Sequence, residues 1–264
     1  MLGLFDSGLG GFTVLRPLRA LLPKHDFIYL GDQAHVPYGD RSPEELFGFL
    51  RHNLDYLNEA GAGVIVVACN TSCAVAARRG WPQSGAPILD LISTAADAVV
   101  ASGARRIGVI ATAATAGSGA YGDAIRARAP QAIVEEVAAP ALVPLVEAGR
   151  TQGAAVRAAV RDACEPFSRD LDVVVYGCSH YPVLDAHFEA VLGESIARLD
   201  PALAQAQAAA RVAGELGIEP AGGIARFATT GDPLAFAVAI RALLGDADPH
   251  VVGAAEILTR IGNG

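Results

Sequence analysis

Short apolar runs alternate with longer amphipathic stretches along this chain of 264 residues. Short apolar runs bounded by Gly, Asp or Pro are typical of buried strands. Eight such runs predict strands at 3–5, 27–30, 63–68, 87–91, 107–110, 133–137, 173–176 and 224–228. The stretches between them repeat their apolar residues at intervals of three and four, which predicts helices that bury one face.

Polar or reactive side chains follow five of these predicted strands. Alternating strands and helices form parallel sheets with helices on both faces, and such sheets bind ligands beyond the carboxyl ends of their strands. The residues at these ends are Asp6-Ser7, Asp32, Cys69-Asn70-Thr71, Thr112 and Cys178-Ser179-His180. The sequence therefore predicts a site at the strand ends of a parallel α/β fold.

Two halves of the chain resemble each other. AGVIVVACNTSCA and LDVVVYGCSHYPV each read as a buried strand that ends in Cys, and GLFDSG and GVIATA repeat at nearly the same spacing. This indicates a duplicated unit and two similar doubly wound domains related by pseudo-twofold symmetry. We expect the first domain to contain residues 1–93 with 206–264 and to carry Cys69. The second, residues 94–205, would carry Cys178 on the other side of a cleft.

Composition narrows the class of protein. Hydrophobic residues make up 52% of the chain and charged residues 18%, which indicates a packed globular protein. The longest apolar stretches are well short of the ~20 residues that cross a bilayer, and no signal sequence follows Met1. We therefore expect a cytoplasmic protein without a membrane span. A net charge of −8 argues against nucleic acid as a partner.

The two strand-end cysteines are the strongest chemical candidates. A Cys that follows a parallel strand and enters a helix has backbone N–H groups and the positive helix end near its sulfur, which favours the thiolate. Either Cys69 or Cys178 alone could instead be a small buried hydrophobe, but two in matching places favour a function as base or nucleophile. Cys73 and Cys164 lie in helical patterns and are predicted to be packing residues, and all four cysteines to be free thiols.

The residues give little sign of a metal or an organic cofactor. A zinc site from Cys69, Cys73, Cys178 and His180 is conceivable, but these positions lack the paired short spacing of structural zinc motifs. Pyridoxal phosphate would need a Schiff-base lysine, and the only lysine, Lys24, lies in a turn before a strand. We predict that the protein uses neither a metal nor a cofactor.

Seven motifs, in order and across nearly the whole chain, resemble those of the glutamate racemases, in the aspartate/glutamate racemase family. They are FDSGLGG, GDQAHVPYG, VVACNTS, GSGAY, PLVEAG, GCSHYP and FATTGDP. The resemblance implies two α/β domains with the site between them, and an isomerase that interconverts L- and D-glutamate without a cofactor. It also implies a role in supplying D-glutamate for peptidoglycan, and thus in cell wall biogenesis and cell shape.

The resemblance also assigns residues. Cys69 and Cys178 match the catalytic acid and base, and Asp6, His180 and Glu147 match positions that assist them. The substrate-contacting positions correspond to Asp6, Ser7, Tyr38, Gly39, Asn70, Thr71, Ser179 and His180, and Thr112 joins them by its place at a strand end. Four features depart from the family pattern: His35 stands where Arg is common, Ser179 where Thr is usual and Cys73 where Ala-rich sequence is typical, and the stretch 138–144 lacks a Cys often seen there.

Stereochemistry gives the two cysteines their predicted roles. Inversion at Cα needs a base on one face and an acid on the other, which facing thiols would supply. A hydrogen-bonded carboxylate and a cleft that excludes water would then stabilise the carbanion.

Two other classes of function stay open. One is a related two-cysteine racemase for aspartate or a hydantoin, and the other is a protein that binds an amino acid or a partner without catalysis. We further expect a homodimer and, as for some members of the family, DNA gyrase as a protein partner.

Overall fold

The computed structural model describes residues 1–246, 249 and 251–253. Strands and helices alternate along this part of the chain. The strands are β1 Leu2–Asp6, β2 Phe27–Gly31, β3 Val64–Val67, β4 Ile88–Asp90, β5 Arg106–Ala111, β6 Ile133–Ala138, β7 Val173–Gly177, β8 Ala197–Leu199, β9 Ala225–Thr229 and β10 Val251–Val252. The helices are α1 Phe12–Leu21, α2 Pro43–Glu59, α3 Asn70–Arg79, α4 Leu91–Ser102, α5 Ala113–Ser118, α6 Ala120–Arg128, α7 Leu142–Glu147, α8 Ala154–Cys164, α9 Asp185–Leu192, α10 Ala202–Glu215 and α11 Pro233–Leu244.

The strands form two parallel sheets. The first has the order β10-β9-β2-β1-β3-β4 and the second the order β6-β5-β7-β8. The order β2-β1-β3-β4 of the first sheet thus recurs in the second, with β5 in the place of β1 and β7 in the place of β3. This repeated order agrees with the sequence similarity between the two halves, and the prediction of two parallel α/β domains is confirmed.

The strands are continuous apolar runs because helices cover both faces of each sheet. All residues of β1, β2, β3 and β7 are buried, as expected for central strands of parallel sheets. In the first sheet Phe5 pairs with Val67, and in the second Ala111 pairs with Gly177. This register brings the carboxyl ends of neighbouring strands to one edge of each sheet.

The strands of the first sheet lie within residues 2–90 and 225–252, and those of the second within 106–199. Helix α10 spans the expected boundary after residue 205, and the Gln205 side chain donates a hydrogen bond of 2.9 Å to the carbonyl of Val67 in the first sheet. The domain boundaries stay a prediction, and residues 254–264 of the first domain lie outside the described residues.

Two short strands, β8 and β10, were not predicted from the sequence. Strand β8 has only three residues, one of them Arg198, and β10 has two. Such lengths carry no recognisable apolar period, and both strands form by pairing with a sheet edge. No helix in the described part of the chain is both long and apolar enough to cross a membrane.

Candidate active site

A small cavity lies where the strand ends of the two sheets meet. Its lining comes from both domains: Ser7, Val36, Pro37, Tyr38, Gly39, Cys69, Asn70, Thr71, Thr112, Val143, Cys178, Ser179 and His180. The space measures about 20 Å³, which holds about one water molecule. Cys69 and Cys178 therefore line the same small cavity, one from each domain.

Cys69 follows β3 and precedes the first residue of α3. Its side chain is buried, and burial together with the negative charge of Asp6 raises the pKa of the thiol to about 12. The helix end therefore does not bring Cys69 to the thiolate form that was expected from the sequence. Desolvation and a neighbouring carboxylate outweigh the helix dipole, and Cys69 is a thiol at neutral pH.

Cys178 follows β7 and is part of a chain of three side chains. Its Sγ lies 3.7 Å from Nδ1 of His180, whose Nε2 is hydrogen-bonded to the Glu147 carboxylate. Burial opposes the charged imidazole, but the hydrogen bonds to Cys178 and Glu147 outweigh it and hold the pKa of His180 well above 6.5. These contacts favour the imidazolium form of His180, which can donate a hydrogen bond to a thiolate at Cys178.

Asp6, at the end of β1, is fully buried and sits behind the cavity lining. Its carboxylate accepts hydrogen bonds from the backbone N–H of Gly8, at 3.1 Å, and from the hydroxyl of Ser179, at 3.2 Å. Burial raises the pKa of Asp6, against the opposing effects of the His180 charge and these hydrogen bonds. The carboxylate therefore links the loop after β1 to the Cys178 loop of the other domain.

The glycines of DSGLGG allow these loops to approach. A Cβ atom at Gly10 would lie 2.2 Å from Oγ of Ser179 and 3.0 Å from Nδ1 of His180. One at Gly8 would lie 3.0 Å from the carboxylate of Glu147. The backbone of the first domain is therefore in direct contact with the catalytic candidates of the second.

The opposite wall of the cavity carries hydroxyl and amide groups at helix starts. Thr71 shares hydrogen bonds of 3.0 Å with Thr112 and 3.3 Å with Thr115, across the domain boundary. Asn70 accepts a hydrogen bond of 2.5 Å from the hydroxyl of Tyr121, and its Nδ2 has no partner among the described residues. Helix N-termini with such donors attract anions, so this wall fits a carboxylate.

Tyr38 and Gly39 close the remaining side. The Tyr38 hydroxyl donates to the carboxylate of Asp32, which also accepts hydrogen bonds from Thr230, at 2.6 Å, and from His35, at 2.7 Å. A Cβ at Gly39 would lie 3.0 Å from that of Thr112. His35 is stacked on Phe49 and does not line the cavity.

The predicted site residues all lie in the cavity wall or touch a residue of that wall. Sequence reasoning did not assign roles to Val36, Pro37, Val143, Thr115 or Tyr121. Tyr121 was present in the quoted motif GSGAY, but its long-range contact with Asn70 leaves no local signal. Cys73 and Cys164 are buried in the hydrophobic cores, and Lys24 is exposed and away from the cavity.

A family model described as Asp/Glu/Hydantoin racemase matches residues 13–247. A glutamate racemase of Gloeobacter violaceus is 43% identical over 241 residues, which cover 90% of each chain.

Solved structures give the same result. Glutamate racemase isoform RacE1 of Bacillus anthracis superposes with a TM-score of 0.89 at 30% identity, covering 96% of both chains. The glutamate racemase of Francisella tularensis, in complex with D-glutamate, gives 0.86 at 27% identity, covering 95% of both chains. The resemblance indicated by the seven sequence motifs is confirmed.

Proposed function

The chain belongs to the Asp/Glu/Hydantoin racemase family, and we propose that it interconverts L- and D-glutamate by acid–base chemistry at two thiols. As a racemase it is an isomerase. One observation carries the proposal: Cys69 and Cys178, from different domains, line the same enclosed cavity. The high identity to a glutamate racemase over 90% of both chains supports glutamate as the substrate.

In this proposal one cysteine enters each turnover as a thiolate and the other as a thiol. The thiolate removes the proton from Cα, and the thiol delivers its proton to the opposite face. The roles of the two sulfurs are then exchanged, which suits a reaction that runs in both directions. By resemblance to the family, Cys69 acts on D-glutamate and Cys178 on L-glutamate.

The surroundings of the two thiols supply different help. At Cys178 the imidazolium of His180, held by Glu147, stabilises the thiolate through a charge-assisted hydrogen bond. At Cys69 the high pKa of the free thiol must fall when substrate enters. The ammonium group of glutamate brings a positive charge that pairs with Asp6 and favours the nearby thiolate.

The carbanion is stabilised by the groups that hold the substrate. Hydroxyl and amide donors of Ser7, Asn70, Thr71 and Thr112 would bind a carboxylate, and such donors strengthen as charge develops in an enclosed site. A cavity of about 20 Å³ is too small for glutamate. The cleft must widen for entry and close again around the substrate, which excludes water from the reacting carbon.

The test is a proton NMR time course of each glutamate enantiomer in deuterated buffer, without added cofactor. We expect the Cα–H signal of both enantiomers to decay, with racemisation measured on the same samples by polarimetry. Aspartate and a hydantoin are assayed in parallel. Faster exchange with either compound would show that this compound, and not glutamate, is the preferred substrate. Binding without exchange would show that the protein captures an amino acid and does not racemise it.

We further propose that the protein works in the cytoplasm and supplies D-glutamate for peptidoglycan. We also propose a homodimer, together with DNA gyrase as a protein partner. Support for these points comes from the family resemblance. Light scattering on the purified chain tests the dimer, and rescue of a D-glutamate auxotroph tests the cellular role.

A further inference from the structure

Tyr121 and Asn70 form a buried hydrogen bond between the two domains. The Tyr121 hydroxyl, near the start of α6 in the second domain, lies 2.5 Å from Oδ1 of Asn70, the first residue of α3. Both side chains are buried, Tyr121 completely. Burial raises the pKa of Tyr121 well above 10, so the phenol keeps its proton and remains a donor.

This bond decides which side of the amide faces the cavity. Because Oδ1 of Asn70 accepts from Tyr121, the amide nitrogen Nδ2 is turned the other way. Nδ2 is buried and has no hydrogen-bond partner among the described residues, and Asn70 lines the cavity. A buried donor without a partner destabilises the folded chain. A carboxylate in the cavity would accept this hydrogen bond and remove that destabilisation.

We propose that Tyr121 is a positioning residue that holds the Asn70 amide with its N–H groups toward the substrate carboxylate. Without the phenol, rotation of the amide by half a turn would present Oδ1 to the carboxylate, and the two acceptors would repel. The inference rests on the proposed function, because it takes an amino-acid carboxylate as the ligand. The inference assigns to Tyr121, which does not line the cavity, the role of orienting a residue that does.

Two features hold α6 in the position that this contact requires. Gly119, which precedes α6, has a φ of +67°, and a Cβ there would lie 3.0 Å from the Arg78 guanidinium. Arg78 of α3 in turn forms an ion pair of 2.8 Å with Asp123 of α6. The start of α6 is therefore fixed against α3, so that the hydroxyl of Tyr121 meets Asn70 and not water.

A double-mutant cycle tests this role. We expect Tyr121→Phe to raise KM for glutamate about tenfold and to lower kcat as well, since the misplaced Asn70 amide weakens a hydrogen bond to the carboxylate both in the bound substrate and in the carbanion. Asn70→Ala should raise KM by a similar or larger factor. In the Asn70→Ala background, Tyr121→Phe should have no further effect, because the residue acts only through Asn70.

Tyr176→Phe is the matched control. This buried phenol also donates a 2.5 Å hydrogen bond, to Asp185, but it is not in contact with the cavity wall at Asn70. It should leave KM unchanged. Equal effects of Tyr121→Phe in the wild-type and Asn70→Ala backgrounds would overturn the proposal, as would an unchanged KM in the single variant.

Calorimetric binding of glutamate separates this inference from the proposed function. If the wild-type chain binds glutamate but does not racemise it, the double-mutant cycle is measured with the Kd for glutamate in place of KM. The proposal then requires the same coupling between Tyr121 and Asn70. If the chain racemises glutamate and the coupling is absent, only the role of Tyr121 is lost. A chain that neither binds nor racemises glutamate would contradict both.

Discussion

Ser179, which follows Cys178, donates a hydrogen bond to the carboxylate of Asp6 in the other domain, with 3.2 Å between Oγ and Oδ1. Burial and, after it, the charge of Asp6 raise the pKa of Cys69. The hydroxyl group of Ser179 thus connects the Cys178 loop to the carboxylate of Asp6, whose charge affects the pKa of Cys69. The surroundings of the two cysteines are therefore coupled across the cleft.

Removal of this hydroxyl should affect both directions of the reaction. We expect Ser179→Ala to lower kcat about tenfold for each enantiomer, because a buried carboxylate loses a donor worth about 1–3 kcal/mol. Ser179→Thr keeps the hydroxyl and should retain most of the activity. Steady-state kinetics with L- and D-glutamate check this, and a fully active Ser179→Ala would show that the bond to Asp6 is not needed.

The raised pKa of Cys69 predicts a loss of stability at high pH. The thiol has a pKa of about 12 in the folded chain against an ordinary value of 9.0, so the folded state binds this proton more tightly than the unfolded state. The stabilisation from the protonated thiol is complete below about pH 9 and is lost as pH rises toward 12, by about 1.4 kcal/mol per pH unit.

Urea unfolding of the wild type and Cys69→Ala between pH 8 and 11 measures this contribution. The difference in free energy of unfolding between the two proteins should shrink as pH rises. Because other buried thiols and phenols titrate in both proteins, only the difference is informative. A difference independent of pH would contradict the raised pKa.

Glu147 should control the protonation of His180. Its hydrogen bond favours the imidazolium, so Glu147→Gln should lower the pKa of His180. Because Cys178 is the base for L-glutamate, the same substitution should reduce kcat for L-glutamate about tenfold. An NMR titration of the His180 ring and initial rates check both effects. Glu189→Gln, which breaks a 3.1 Å ion pair with Arg198, is the control, and equal effects of the two variants would refute the assignment.

Gly10 should not tolerate a side chain. The Cβ of Gly10→Ala would lie 2.2 Å from Oγ and 2.8 Å from Cβ of Ser179, so the two loops must separate. We expect a loss of about 1–3 kcal/mol in stability and at least about a tenfold loss in kcat/KM. Gly48→Ala in α2 has no atom within 4 Å of the new Cβ and should be active and slightly more stable. An active, stable Gly10→Ala would show that this approach is not required.

The strand-end rule explains why so much of the site could be predicted. Asp6, Cys69, Thr112 and Cys178 each follow a buried apolar run, and the fold of parallel strands brings such positions together. The repeated Cys motif likewise indicated a duplicated unit, which agrees with the repeated strand order. These are local patterns, and a single sequence contains them.

What could not be predicted depends on long-range packing. The sequence does not show that Asp6 lies near Cys69 in a desolvated space. The direction in which the pKa of the Cys69 thiol shifts therefore could not be predicted correctly. Nor does the sequence show that Tyr121 reaches Asn70, or that Gly10 meets Ser179. The contacts of Tyr121 with Asn70 and of Gly10 with Ser179 join residues of different domains, and in all three pairs the separation in sequence leaves no periodic signal.

The most direct test of the two-thiol mechanism is elimination from the two enantiomers of 3-chloroglutamate. A thiolate removes the Cα proton, a carbon–carbon double bond forms as the carbon–chlorine bond breaks, and chloride leaves, so one base is sufficient. We expect Cys69→Ser to release chloride only from the L-enantiomer and Cys178→Ser only from the D-enantiomer, while Cys73→Ala acts on both like the wild type. Release from both enantiomers at similar rates by either Ser variant would show that a third group, such as His180 or Asp6, serves as base and would contradict the facing-thiol mechanism.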